Sequence, residues 1–164
     1  MLANQSLPRM EGQMEANPKH LGQPSVVESR FGTLEVHPEG VLNLPSGLLG
    51  FGDHHDFGLA ALPNGQHPHF KVLQSLDDPD LAFLVAPLNL ESNTIEASDL
   101  EDACAYLGIC RDNLAVLLIV TVRRDGNSAQ ISLNMRAPLF VDAERRLARQ
   151  YVLPNNKYAI RHAL

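Results

Sequence analysis

The sequence has no tryptophan and only two cysteines, Cys104 and Cys110, with five residues between them. Neither a disulfide framework nor a zinc knuckle is written in such a pattern, which fits a cytoplasmic protein. No apolar stretch reaches the roughly 20 residues that span a bilayer. The amino terminus also lacks the continuous hydrophobic segment of a secretory signal, so no export and no membrane association are expected. Basic residues are scarce: 13 Lys and Arg stand against 19 Asp and Glu, a formal net charge of −6. That balance argues against direct, phosphate-tracking contact with nucleic acid, which requires clustered cations to displace counterions. A basic or mixed-charge protein partner fits better. There is also no nucleophile elbow, no phosphate-cradling glycine loop and no dinucleotide fingerprint, so nothing points to an enzyme or to a cofactor.

The 164 residues are 45% hydrophobic, enough for one domain with its own core. The chain is organised around Phe70 to Val85, an apolar run, a polar break and a second apolar run. Asp77-Asp78-Pro79-Asp80 is built to turn: proline presets φ, and aspartate side chains bond to nearby backbone amides. The flanking runs are too short for helices and read as core strands. Gln74, Ser75 and the three aspartates therefore form a polar connection between two strands, where a rigid scaffold commonly presents function.

Residues 1 to about 25 are rich in Asn, Gln, Pro, Gly and Ser without apolar periodicity, and read as a flexible tail. The folded part is expected from residue 26 to 164. Arg30 to Val36 alternates as a first strand and Val41 to Leu44 reads as a second. Leu48-Leu49-Gly50-Phe51-Gly52 is tightly bent, with Phe51 expected as an aromatic plug under a loop and a recognition aromatic as the alternative. Asp53-His54-His55-Asp56, followed by His67 and His69, concentrates metal-ligand types. Gly52, Gly58, Pro63, Gly65 and Pro68 make both segments loops, which do not pin ligands, so no metal is expected; a metal-dependent enzyme or binding protein is the alternative.

Further on, Ser98-Asp99-Leu100-Glu101 has the form of a capping box opening a short helix that closes at Gly108. Leu100, Ala103, Cys104 and Leu107 form its buried stripe, which makes Cys104 a packed thiol. Leu114 to Val122 reads as a central strand, and Ile131, Leu133 and Met135 as its antiparallel partner across a glycine-containing turn. Many short strands with one capped helix give a mainly β fold, a small antiparallel β-barrel-like domain whose closure disposes of sheet edges.

Charge is unevenly divided along the chain. Between Lys71 and Arg111 there are eight carboxylates and no Lys or Arg. Asp77, Asp78 and Asp80, with Glu101 and Asp102 as outlying helpers, are the candidate surface for a basic partner.

Five ordered motifs carry a family resemblance: Phe31 to Val36, Leu44-Pro45-Ser46-Gly47 with Gly50-Phe51, Leu73 to Phe83, Asn134-Met135-Arg136-Ala137-Pro138, and Tyr158 to His162. In order and spacing the chain resembles the flagellar assembly factor FliW family from about Arg30 to Leu164. The resemblance implies a β-barrel-like cytoplasmic protein without catalytic activity, read here as a monomer. It also implies binding of the RNA-binding translational regulator CsrA, which relieves repression of flagellin synthesis, with flagellin as the competing partner. Phe51, Gln74 and Asn134 lie in these motifs and join the five acidic residues as candidate partner contacts. Leu49 and Gly52 depart from the family's usual Pro and acidic residue around Gly-Phe, and Ala163 stands for a proline.

Overall fold

The computed structural model describes residues 22–65 and 67–164, so the expected tail lies outside the described residues up to position 21. The chain forms β1 (Ser25–Ser29), β2 (Gly32–Val36), β3 (Val41–Asn43), β4 (Asp56–Ala61), β5 (Lys71–Ser75), β6 (Ala82–Pro87), α1 (Ala97–Leu107), β7 (Leu114–Asp125), β8 (Ser128–Leu133), β9 (Leu139–Asp142), β10 (Leu147–Gln150) and β11 (His162–Ala163). Seven of these strands close on themselves in the order β7-β6-β5-β4-β3-β10-β9 and back to β7. All neighbours are antiparallel except β3 and β10, which meet in parallel through Asn43 and Leu147. The described residues adopt the expected mainly β, barrel-like fold with one α-helix.

β7 makes the closure possible by being longer than its neighbours. Leu114 to Leu117 pair with β9 and shut the ring, while Val120 to Asp125 pair with β8 along the same edge. The second half of β7 therefore leaves the barrel as an arm with β8, and β11 adds to β8.

Alternation along the strands sorts the core into layers. Leu42, Leu44, Phe57, Leu73, Val85, Leu117, Leu139 and Val141 fill the barrel interior. Val116, Leu118, Val120, Leu133 and Phe140 face outward, where Leu100, Ala103 and Cys104 of α1 cover them. On another outer face, Leu34 and Val36 of the β1–β2 hairpin lie on Ala60, Val72 and Ala82. A strand covered on both sides reads as a continuous apolar run, and β5 is buried from Val72 to Ser75 for that reason.

Several local expectations are corrected. Arg30 and Phe31 form the turn of a hairpin rather than the start of a strand, because β1 pairs with β2 from Ser29–Gly32 outward. The segment following His54-His55 is strand β4, with Gly58 inside it. A Cβ on Gly58 would lie 2.7 Å from Val36 Cγ1, so this glycine admits the hairpin rather than breaking the strand. The helix starts at Ala97, one residue before the expected cap, and neither Ser98 nor the N-cap Glu96 caps with its side chain. Tyr158 supplies the hydroxyl instead: Glu96 N–H donates to it at 3.0 Å, and it donates to Asp99 Oδ2 at 2.5 Å. Gly108 closes the helix in the left-handed region as expected, its N–H donating to Cys104 O.

Candidate functional site

From β3 to β6 successive strands alternate in direction, so the β3–β4 and β5–β6 connections leave from the same end. Leu44 N–H donates to His55 O at 2.7 Å and Leu76 N–H to Asp56 O at 2.9 Å, which lashes the two connections together.

The β5–β6 turn is held from within. Gln74 is fully buried, and its Nε2 donates toward four carbonyl oxygens, those of Ser75, Asp78, Pro79 and Leu81, at 3.0 to 3.3 Å. Its Oε1 has no hydrogen-bond partner among the described residues. Ser75 Oγ accepts from the amides of Asp77 at 3.3 Å and Asp78 at 3.1 Å, and Asp78 Oδ1 accepts from Asp80 N–H at 2.9 Å. Leu81 N–H then returns to Asp78 O. Asp78 is thus the residue that makes the turn, as its Asx-type bond shows. Asp77 and Asp80 are exposed. Among the described residues neither carboxylate has a salt-bridge partner.

Beside the turn, the β3–β4 loop folds into a tight bend. Phe51 N–H donates to Leu48 O at 2.8 Å, with Leu49 and Gly50 at the tip. A Cβ on Gly47 would lie 2.3 Å from Phe51 O, so glycine is required there both for space and for its φ of 62°. The plug of this loop is Leu48, at 2% exposure, and not Phe51. Phe51 is 39% exposed and rests edge-on against Phe83 at 5.3 Å, while Leu49 is 61% exposed. Leu49 N–H is anchored to Gln150 Oε1 at the end of β10. One end of the barrel therefore presents an apolar Leu49–Phe51 tip next to two carboxylates on a rigid turn.

The other candidate residues lie elsewhere. Gln74 is too buried to touch a partner and serves as the scaffold of the turn. Asn134 is half-buried between β8 and β9, where its Oδ1 accepts from Arg136 and Ala137 amides at 3.1 Å and shapes that connection. Glu101 and Asp102 are exposed on α1. The helix is entered from the opposite end of β6 and packs on the outer face of β7 and β9, so these acids do not extend the turn. The histidines do not converge: His55 Nδ1 donates to Leu44 O at 3.0 Å, and the His67 ring lies on Phe70. Among the described residues no three His, Cys, Asp or Glu side chains are arranged to hold a metal ion. Burial pushes the Cys104 thiol up, away from the reactive thiolate. Leu49 and Phe83 were missed from the sequence because nothing in an isolated Leu or Phe tells which one the loop leaves outside.

Comparison with known proteins adds the family. Residues 25–164 match the family described as FliW protein. The flagellar assembly factor FliW of Geotalea uraniireducens is 33% identical over 137 residues, covering 84% of this chain and 82% of that protein. The one from Bdellovibrio bacteriovorus is 36% identical over 137 residues, covering 83% and 76%. The crystal structure of a flagellar assembly factor FliW superposes with a TM-score of 0.66 at 24% identity, covering 85% of this chain and 96% of that one, a likeness of fold.

Proposed function

We propose, from the premise that this chain belongs to the FliW family of flagellar assembly factors, that it works through protein contacts alone and carries out no catalysis. It binds the translational regulator CsrA in the cytoplasm and so relieves repression of flagellin synthesis. Newly made flagellin competes for it, which couples filament supply to demand.

The observation that carries the CsrA reading is the pair of unneutralised carboxylates, Asp77 and Asp80, on a turn whose backbone is tied down by Gln74 and Ser75. An RNA-binding regulator presents Lys and Arg for phosphates, and an acidic surface attracts such a partner at or beside its RNA site. The apolar tip of Leu49 and Phe51 beside the turn supplies the desolvated contact that charges alone do not. Pre-ordering of the turn lowers the entropy lost on docking.

The test uses Asp77→Asn with Asp80→Asn, which leaves the turn-making Asp78 untouched. Affinity for CsrA is expected to fall about tenfold at low salt and to lose much of its salt dependence, with an unchanged melting temperature. Normal melting with unchanged affinity and salt slope would refute the electrostatic docking. Titrating flagellin into the wild-type complex is expected to displace CsrA, and a stable ternary complex would remove the competition.

A further inference from the structure

We infer a second interaction surface, a groove between the β1–β2 hairpin and β4 that takes an extended protein segment of alternating basic and apolar residues. It stands independently of the CsrA reading, on the outer wall of the barrel toward the end opposite the acidic turn. The groove exists because two strands lose a neighbour there. Among the described residues β3 accompanies β4 only from Asp56 to Gly58, so Leu59 to Ala61 have no strand beside them on that side. Above them, β2 pairs with β1 along one edge alone. Thr33, Glu35, His37, Leu59, Leu62 and Pro63 line an open groove of about 600 Å³, and none of its lining comes from β1, which places it on the free edge of β2.

The hairpin register specifies which groups face the groove. Ser29 and Gly32 close a two-residue turn, so Ser29–Gly32, Val27–Leu34 and Ser25–Val36 are the pairs that exchange hydrogen bonds. The amides and carbonyls of Thr33 and Glu35 therefore point away from β1, and among the described residues no backbone hydrogen bond crosses the groove to them. An added strand satisfies such groups, and its side chains alternate between two surroundings. Those opposite Thr33 and Glu35 share the outer face of the hairpin with Glu28 and Glu35, and Glu39 follows at the end of β2; all three acids are exposed. Among the described residues none of the three carboxylates has a Lys or Arg partner, and His37 lies between the last two, 3.3 Å from Glu35 Oε1 and 4.0 Å from Glu39 Oε1. Basic side chains fit this face. The position opposite Leu34 turns inward instead, toward Ala60 and the partly buried Leu62, where an apolar side chain fits. Lys71 lines the other end of the groove beside Ala61, so the acidic rim is where the cations of the segment are drawn.

The probe is a dye-labelled, end-blocked heptapeptide of alternating lysine and valine, titrated against the full chain by anisotropy. Saturable binding is expected. It should weaken about tenfold in Glu35→Gln with Glu39→Gln, and stay unchanged in Glu101→Gln with Asp102→Asn, which removes the same charge from α1. Methylating one alternate set of the peptide's amides should abolish binding to the wild-type protein, while methylating the other set leaves it, because only one edge of the peptide meets β2. That comparison tests the proposal even if the glutamate variants fold poorly. The inference is overturned if the peptide does not bind the full chain, if its glutamate counterpart binds equally, or if both methylated sets bind like the unmodified peptide. It is also overturned if the peptide acts by dissociating a dimer seen in sedimentation, which would make a second copy of the chain the occupant.

Discussion

Gln74 shows how one polar side chain is misjudged when its neighbours in space are unknown. In the sequence it opens a polar, acidic connection and belongs with the residues that meet a partner. In the folded chain both faces of β5 are covered, and among the described residues its amide nitrogen reaches the carbonyls of the turn it precedes. An amide NH2 brings two protons that these carbonyls share, whereas a carboxylate there has no proton to offer them. Gln74→Glu is therefore expected to lower stability by about 3 kcal/mol at neutral pH, with protonation restoring part of the loss in acid. Urea unfolding at pH 7 and pH 4.5 reads both effects, and an unchanged midpoint at pH 7 would contradict the scaffold role. Phe51 illustrates the complementary error. Its flanking glycines correctly announce a bend, but only the geometry of that bend decides that Leu48 turns in and Phe51 turns out.

The elements whose pattern is self-contained were legible: the two strands around Pro79, the long apolar run of β7, the β7–β8 hairpin at Gly126, and the helix stop at Gly108. Those defined by long-range partners were not. β4 carries Gly58 where a strand normally avoids glycine, and the reason lies in the hairpin packed above it. Leu34 and Val36 of β2 approach β4 so closely that Val36 Cγ1 and Cγ2 occupy the space of a Cβ, at 2.7 and 2.8 Å. Gly58→Ala is expected to cost about 2 kcal/mol, because Val36 is stiff at χ1 and buried at 1% exposure. Val36→Ala costs a similar amount through the cavity it leaves. The double variant should be more stable than the sum of the two losses predicts, since each change makes room for the other. Strict additivity in the double-mutant cycle would show that the hairpin does not press on Gly58. The helix N-terminus follows the same logic, as its capping box is displaced by a tyrosine 62 residues away from the amide it satisfies.

At the scale of the whole molecule, that tyrosine ties the last part of the chain to the barrel's helix. Tyr158 and Asn155 donate to Asp99, and Lys157 Nζ lies 2.8 Å from Glu96 Oε2 and 3.7 Å from Asp99 Oδ2. The Tyr158 hydrogen bond, with Asn155 and Lys157 contributing, holds the Asp99 carboxyl below its usual range against the opposing effect of burial. A carboxyl whose folded value is depressed stabilises the fold above its unfolded value, near 4. That stabilisation is lost as pH falls through the folded value. Asp99→Asn should thus cost about 1–2 kcal/mol at pH 7. Wild type and variant should converge in stability as the medium becomes more acidic than the ordinary carboxylate range, which melts across a pH series will show. Parallel curves would mean that the charge of Asp99 is not what holds the carboxy-terminal segment. Residues 26–164 are proposed to unfold together because this staple, the ring closure and the hairpin share one set of layers.

The sequence alone determined the class of the fold and the family, because short alternating runs, turn residues and ordered motifs are local properties of the chain. It also located the acidic turn, since Asp-Asp-Pro-Asp bends wherever it is placed. The tertiary structure decided which residues of that region face solvent, which loop residue turns inward, and which long-range partners cover each strand. Those outcomes depend on what packs behind each side chain. In a closed ring, the partners that cover a residue come from segments far away in sequence, and no local pattern encodes them.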